Sequence, residues 1–324
     1  MRSSISGSER GPGAFLLRVA LFVGVVLVLL FGCLLFGPPA SPSEYMASTV
    51  LKNQALDRAS SPKVVLLGGS NLAYGMDSEQ LSRTLCRPVI NMGLAAPLGF
   101  LFITNEAKGR LDKGDLVVLA LEEEFYAQPE RIEDVTIAVV DNRPRSLAFV
   151  PVLDRPRVII DLLVMRLKAV KDYLVEVKGS GWGKRVYRKR EFNAHGDLVN
   201  HLEEPIPEVL WPENNHQDPV VLDPSFWRIA REFVDAAHSA GAEVVFSWPS
   251  IAASQYHHSN STAILIEIQA HGLRTIGDPA DYVFPDSLFF ESHYHLHRTG
   301  RQLRTDRLLK DLCSQLDALC CETE

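Results

Sequence analysis

The chain has 324 residues, of which 46% are hydrophobic and 23% are charged, and its formal net charge is −7. This composition excludes a disordered chain and a small disulfide-rich scaffold. The acidic balance argues against a nucleic-acid-binding protein, which needs a basic surface. The length predicts about two domains, or one large domain with an insertion, and it permits a sizeable buried core.

The first element along the chain is an apolar segment. Val19–Phe36 runs for eighteen residues without a charge, and as a helix it would be about 27 Å long, close to the thickness of the bilayer hydrocarbon. Three arginines and a single glutamate precede it, so the positive-inside rule keeps the N-terminus in the cytoplasm. We therefore expect residues 1–18 to form a cytoplasmic tail, 19–36 a transmembrane signal anchor and 37–62 a linker.

Two processing alternatives fit this segment less well. A cleaved signal peptide needs a small-residue site after the apolar run, and Gly37-Pro38-Pro39-Ala40 is a poor one. A lipoprotein box ending at Cys33 would contain the bulky Phe31, and the apolar run continues beyond it. The expected location is therefore the inner (cytoplasmic) membrane, with a single pass and with the main domain periplasmic or extracellular.

Short apolar runs alternate with amphipathic segments from Lys63 onward. The predicted strands are Lys63–Leu67, Pro88–Asn91, Asp115–Leu121, Glu243–Trp248 and a short fifth at Arg274–Ile276. The predicted helices are Leu98–Leu111, Asp223–Gly241, Ser261–His271 and Thr299–Leu319. This alternation predicts an α/β fold with a parallel sheet covered on both faces, formed by residues 63–324.

The alternation fails between about residues 126 and 221. This stretch contains a long helix candidate at Arg157–Lys178 and a basic run at Lys184–Arg190. We interpret it as a mainly helical insertion that caps the sheet. The basic run is typical of a solvated surface, although it would also suit an anionic glycan or phospholipid headgroups.

Polar residues follow the predicted strands where each one ends. Ser70 and Asn71 follow Gly68-Gly69 after the first strand, Asn91 and Gly93 end the second, and Glu122 follows the third. His295 lies in a segment after the last strand. Because ligands bind at the carboxyl ends of parallel strands, these residues suggest a serine nucleophile with a histidine base.

Three segments resemble the SGNH (GDSL-like) hydrolase superfamily. They are VVLLGGSN at Val64–Asn71, VINMGL at Val89–Leu94 and YHLHRTGRQLRT at Tyr294–Thr305. The sequence is most similar to membrane-anchored members associated with cell-envelope polysaccharide acylation or synthesis. The resemblance implies a flavodoxin-like three-layer fold, Ser70 as nucleophile and His295 as general base. It also implies that the N–H groups of Ser70 and Gly93 belong to the oxyanion hole.

The sequence departs from the family pattern at two positions. The third block offers Glu122-Glu123 where an asparagine donor is usual, so the remaining oxyanion donors are Asn71 or Asn91. The usual acid three residues before the histidine is replaced by Ser292, which leaves Glu291 as the candidate acid and Asp286 in reserve.

Two functions remain open from these residues. The first is a membrane-anchored serine acyl-ester hydrolase or O-acyltransferase, with an acylated glycan or acyl donor as substrate and polysaccharide biosynthesis or export proteins as partners. The second is a catalytically inactive SGNH-like module that binds polysaccharide or scaffolds an export complex.

Histidine and cysteine patterns indicate no metal and no cofactor. His293, His295 and His297 alternate, but no neighbouring carboxylate or cysteine completes a recognisable ligand set. Outside the cytoplasm a disulfide is allowed, and a bond from Cys86 to one of the three C-terminal cysteines is a candidate.

Overall fold

The computed structural model describes residues 12–175, 187–206, 219–316 and 321. At its centre, four parallel strands form one sheet in the order β2-β1-β3-β4. Their bounds are β1 Val64–Gly68, β2 Val89–Asn91, β3 Leu116–Ala120 and β4 Glu243–Ser247. The predicted mixed α/β class with a parallel sheet is confirmed, and these strands are the first four predicted from the sequence.

The predicted fifth strand is reduced to a single parallel bridge beside β4. Phe246 donates its N–H to Arg274 O at 2.8 Å, and Ile276 donates to Phe246 O at 2.8 Å. Gly277 then adopts a left-handed conformation with φ +71°, which turns the chain away before more pairs can form. A separate pair of two-residue parallel strands is formed by β5 (Ile251–Ala252) and β6 (Val283–Phe284).

Helices connect the strands. They are α1 Pro12–Phe36, α2 Thr49–Arg58, α3 Ser70–Gly75, α4 Ser78–Thr84, α5 Phe100–Lys108, α6 Glu123–Ala127, α7 Asp134–Asn142, α8 Arg155–Val175, α9 Pro224–Ser239, α10 His258–Ala270 and α11 Arg298–Gln315. The α9 prediction succeeds because its signals are local. Asp223 caps the first turn by accepting from Ser225 N at 2.8 Å, and Gly241 at φ +81° follows its end.

The sheet separates two apolar layers. Val65 and Leu67 of β1 point to one face, where α2, α5 and α9 pack, whereas Val64 and Leu66 point to the other, where α3, α4 and α11 pack. All four side chains are at most 1% exposed. Burial on both faces explains why the strands are continuous apolar runs without alternation.

The N-terminal helix α1 is long and apolar enough over Pro12–Gly32 to cross a membrane. Most of its side chains between residues 12 and 32 are exposed, with Phe22 70% and Val28 72% accessible. An exposed apolar surface of this size is typical of contact with lipid or with another protein. The helix begins before the predicted Val19, so Arg18 lies inside it, while residues 1–11 of the expected tail lie outside the described residues.

The prediction that residues 37–62 form a linker is wrong for their second half. A 3-10 helix at Tyr45–Ser48 and α2 both pack against the domain, and Ala47, Lys52 and Leu56 are buried. Lys52 Nζ donates to the backbone carbonyl of Asn91 at 3.0 Å. The buried face of this helix consists of Thr49, Lys52, Asn53 and Leu56, and because three of these four residues are polar, hydrophobic periodicity does not reveal it.

The inserted region shares the core of the sheet. Val158 and Leu162 of α8 and Leu198 of the returning segment are buried in the same apolar cluster as β1 and β3. The returning segment also runs beside the edge strand, where Asn91 N donates to His195 O at 2.8 Å. Helix α8 begins near the predicted Arg157, and its predicted end at Lys178 lies outside the described residues.

The C-terminal helix α11 ends at Gln315, earlier than the predicted Leu319. Cys313, in the last turn of this helix, forms a disulfide with Cys321 beyond its end. The expected bond from Cys86 to the C-terminal cysteines is therefore absent for Cys313 and Cys321, whereas Cys320 lies outside the described part of the chain.

Candidate active site

Ser70 lies at the edge of the sheet where the strand order reverses. Strand β1 ends at Gly68, Gly69 forms the turn, and Ser70 is the first residue of α3. The chain leaves β1 toward β2 on one side and later enters β3 on the other, and this crevice is where open parallel sheets bind ligands. The Ser70 side chain is half-buried.

A buried carboxylate holds this turn. Glu122 lies two residues after the end of β3 and is 2% exposed. It accepts hydrogen bonds from Gly69 N and Asn71 N, each at 3.1 Å. It therefore binds the amides on both sides of Ser70. Burial raises the pKa of Glu122, and the hydrogen bonds from Asn71 and Gly69 oppose that shift.

The predicted oxyanion donors are already engaged within the protein. Gly93 N donates to Asn91 Oδ1 at 2.9 Å. Asn91 Nδ2 donates at 2.8 Å both to Leu72 O and to Asp197 Oδ1. Since both groups hold neighbouring loops together, neither is available to an oxyanion in this conformation.

Asn71 is also fully engaged. Its Nδ2 donates to Ala120 O at 3.0 Å, and its Oδ1 accepts from Arg304 Nη2 at 2.6 Å. Among the described residues none accepts a hydrogen bond from the Ser70 N–H. Of the donors expected from the sequence, the Ser70 amide is the one left for a developing negative charge.

His295 is paired with the candidate acid. Its Nδ1 lies 3.3 Å from Glu291 Oε1, and both side chains are about 15% exposed (15% for the imidazole, 14% for the carboxylate). Glu291 also accepts from the hydroxyls of Tyr74, at 3.2 Å, and of Tyr187. Burial would raise the pKa of Glu291, but the hydrogen bonds from His295 and the two tyrosines lower it below its ordinary value.

The imidazole of His295 lies against the helix that begins with Ser70. It stacks on the ring of Tyr74 with centroids 3.8 Å apart and planes 4° apart. Tyr74 lies four residues after Ser70, on the same face of α3. His295 therefore lies against the face of α3 that carries Ser70. Within the described structure no hydrogen bond joins Ser70 Oγ to His295.

The other residues considered from the sequence lie elsewhere. Asp286 accepts from Ser254 N at 3.0 Å in a short helix, whereas the carboxylate that contacts His295 is Glu291. His297 contacts Glu204 O through Nε2 at 3.1 Å, and burial lowers the pKa of His293. Across the described residues there is no group of three or more histidine, cysteine or acidic side chains that could hold a metal ion.

Several site residues were not predicted. Tyr74 and Tyr187 orient the pair through Glu291, and the spacing of Tyr74 from Ser70 is the signal that could have revealed the first of them. Arg304 is 1% exposed and donates to Asn71 O at 2.6 Å, and burial lowers its pKa to about 10. Arg304 lies inside the segment Tyr294–Thr305 that carries the family resemblance, but nothing in the sequence distinguishes a buried arginine from one on the surface.

A small pocket opens at the ends of β3 and β4, and Ser70, Glu291 and His295 are not among the residues that line it. Its lining is mainly apolar and includes Leu121, Trp248, Tyr256 and Tyr294, with Glu123 as its carboxylate. Tyr294 is adjacent to His295, and Leu121 is adjacent to Glu122. The pocket therefore borders the same sheet edge as Ser70.

In comparisons with known proteins, no family model and no curated protein matched this chain. The chemistry proposed below accordingly rests on the fold and on the residues at this edge.

Proposed function

We propose that this chain is a membrane-anchored serine acyl-ester hydrolase or O-acyltransferase of the SGNH type. The observation that carries the proposal is the Glu291–His295 pair stacked on the helix that begins with Ser70. A histidine whose Nδ1 is held by a carboxylate presents its Nε2 as a base, which is the arrangement that serine nucleophiles require. The strand order β2-β1-β3-β4 also agrees with the flavodoxin-like sheet that the resemblance implies.

The chemistry follows from these positions. Ser70 Oγ attacks the acyl carbonyl while His295 Nε2 takes its proton, and the resulting imidazolium is stabilised by Glu291. His295 gives this proton to the leaving alcohol as the ester C–O bond breaks, and the acyl group remains on Ser70. His295 then takes a proton from the water or sugar hydroxyl that attacks the acyl-enzyme, and it returns that proton to Ser70 Oγ as the acyl–Ser70 bond breaks. The Ser70 N–H is the available donor to the oxyanion. Catalytic hydrogen bonds often tighten only when substrate binds, so the Ser70–His295 contact belongs to the substrate complex.

The proposed substrate and location follow from α1 and from the resemblance. A helix that could span a membrane would hold the enzyme beside a polysaccharide during its export. An esterase that diffuses freely would not require such an anchor. We infer an acylated cell-envelope or exported polysaccharide as the substrate, on the outer side of the cytoplasmic membrane.

The test uses the full chain in detergent with a small acetyl ester and a fluorophosphonate probe. Ser70→Ala and His295→Gln should each lower turnover by at least about 10⁴-fold, and Ser70→Ala should abolish probe labelling. Ser239→Ala changes an exposed serine on α9 whose hydroxyl bonds only its own helix, and it should leave both signals unchanged. Undiminished turnover in Ser70→Ala would refute the mechanism.

The second candidate is a non-catalytic SGNH-like module that binds a polysaccharide or scaffolds its export machinery. Two observations favour it. The donor groups of Gly93, Asn71 and Asn91 already make hydrogen bonds within the protein, and the carboxylate of Glu122 lies beside the turn that carries Ser70. This candidate predicts no hydrolysis and no probe labelling by the wild-type chain, together with polysaccharide binding that Ser70→Ala does not alter.

A further inference from the structure

Helix α8 is apolar on two opposite sides. Val158 and Leu162 are buried against the domain, at 0% and 7% exposed. On the opposite side Ile160, Val164 and Leu167 are 60%, 43% and 52% exposed, and the spacing of three and four residues places them in one stripe. Leu153, just before the helix, extends this stripe and is 93% exposed. A helix side facing water would be polar, so this surface is built for contact with something apolar.

The end of α1 is tied to the same helix. Ala40, four residues after α1, donates its N–H to Asp141 Oδ2 at 2.7 Å. Asp141 Oδ1 in turn pairs with Arg166 Nε of α8 at 2.6 Å, with both side chains buried. Four residues span at most about 14 Å. The middle of α8 is therefore held close to the point where α1 would leave a bilayer, whose headgroup layer is about 5–8 Å thick.

Basic side chains accompany this surface, although the whole chain is acidic. Lys168 and Lys171 are exposed on α8 next to the apolar stripe. Arg190 is also exposed, in a segment where Lys189 N donates to Ser43 O at 2.9 Å, a few residues after α1. The combination of an apolar stripe with flanking lysines is typical of helices that lie in a membrane interface containing anionic lipid.

We propose that α8 lies in the headgroup region of the membrane that α1 spans. The stripe formed by Leu153, Ile160, Val164 and Leu167 contacts the acyl-chain boundary, and Lys168 and Lys171 contact anionic phospholipid headgroups. The domain is then held against the bilayer along α8, in addition to its tether. This inference does not depend on the catalytic proposal.

The experiment places a photoreactive p-azidophenylalanine in the full chain, reconstituted into vesicles of phosphatidylcholine and phosphatidylglycerol. Introduced in place of Ile160 or Leu167, it should give covalent adducts with the mass of a phospholipid. Ile266 on α10 and Leu303 on α11 are matched controls, since they are 57% and 47% exposed but lie outside the stripe. Those positions should give no lipid adduct above background.

Three results would overturn the proposal. They are the absence of lipid adducts at Ile160 and Leu167, equal adducts at the two control positions, and crosslinks from the stripe to a second protein chain. A second measurement addresses the lysines. Removing phosphatidylglycerol should lower the adduct yield at Leu167, and the double variant Lys168→Glu with Lys171→Glu should lose this dependence. If the adduct yield of the chain that retains Lys168 and Lys171 does not change when phosphatidylglycerol is removed, the proposed contact of these lysines with anionic headgroups is refuted.

Discussion

Ser70 is positioned by neighbours that leave little space. A Cβ atom added to Gly69 would lie 2.6 Å from Glu122 Oε2 and 2.8 Å from Ala96 N, so the close approach of the carboxylate requires glycine there. Gly93 is similarly confined, since its Cβ would lie 2.8 Å from Gly69 O. The two glycines permit the turns at the ends of β1 and β2 to pack directly against each other.

We expect Gly69→Ala to lower the free energy of unfolding by about 1–3 kcal/mol, because the new methyl group must displace Glu122 or the backbone of Ala96. Gly109→Ala is the matched control, as it ends α5 with φ −89° and its Cβ would meet no atom within 4 Å. Its effect should stay within about 0.5 kcal/mol. Chemical unfolding of both variants in detergent measures the difference, and equal stabilities would contradict the steric account.

His201 lies beneath the proposed site and should make stability depend on pH. It is fully buried against Tyr74, and its Nε2 lies 3.0 Å from Leu296 O. Burial lowers its pKa to about 3, below the ordinary 6.5. Between these values the unfolded chain binds the proton and the folded chain does not, so stability falls as the pH is lowered through this window.

The variant His201→Gln keeps a donor to Leu296 O but cannot titrate. Relative to this variant, the wild type should lose about 1.4 kcal/mol of stability per pH unit below pH 6.5, until the pH approaches about 3. Unfolding measurements at a series of pH values give the slope. Parallel curves for the two proteins would show that His201 titrates normally in the fold.

At the scale of elements, one buried ion pair joins three parts of the chain. Asp141 of α7 binds Arg166 of α8 and the backbone of Ala40 after α1, and the two charged side chains are 1% and 6% exposed. Removing one partner of a buried pair leaves the other charged and poorly solvated. The junction among α1, α7 and α8 therefore depends on both charges being present.

We expect Arg166→Leu to destabilise the protein by about 3–5 kcal/mol, since it strands Asp141 in the interior. Adding Asp141→Asn should recover part of that loss, because the uncompensated charge is removed. Arg83→Leu is the control, as Arg83 pairs with Glu79 on the surface at 66% and 61% exposed and should change stability by less than about 1 kcal/mol. Unfolding of all three variants provides the comparison. Similar losses for Arg166→Leu and Arg83→Leu would contradict this role.

At the scale of the whole molecule, the disulfide bears on the proposal that the domain lies outside the cytoplasm. Cys313 and Cys321 are bonded with Cα atoms 5.9 Å apart, within the usual range. Disulfides persist outside the cytoplasm and are rare within it, where thiols are kept reduced. A disulfide near the C-terminus indicates a domain outside the cytoplasm. The proposed orientation of α1, with its N-terminus in the cytoplasm, places the domain on that same side.

We expect peptide mass mapping of the full chain, purified without reductant, to recover Cys313 linked to Cys321. Reducing this bond should cost about 2–3 kcal/mol through the entropy of the unfolded chain. Finding both thiols free in protein alkylated before lysis would contradict the outward orientation. A bond from either residue to Cys86 would contradict the pairing.

Several features followed from local sequence patterns. The continuous apolar runs determined β1 to β4, the cap at Asp223 and the glycine at 241 determined α9, and eighteen uncharged residues determined α1. The glycines after the first strand also placed Ser70 at the carboxyl end of β1. These predictions succeed because each depends on the period of side chains along a single element or on the common edge of a parallel sheet.

Tertiary structure decided the rest of the site. It showed that Glu291 and not Asp286 contacts His295, that Gly93, Asn71 and Asn91 are used internally, and that residues 49–58 form a packed helix instead of a linker. Arg304 reaches Asn71 across 233 residues of sequence, and Tyr187 reaches Glu291 across 104. Such contacts are absent from any local pattern, because a hydrogen-bonding partner distant in sequence is chosen by how helices and loops pack against the sheet.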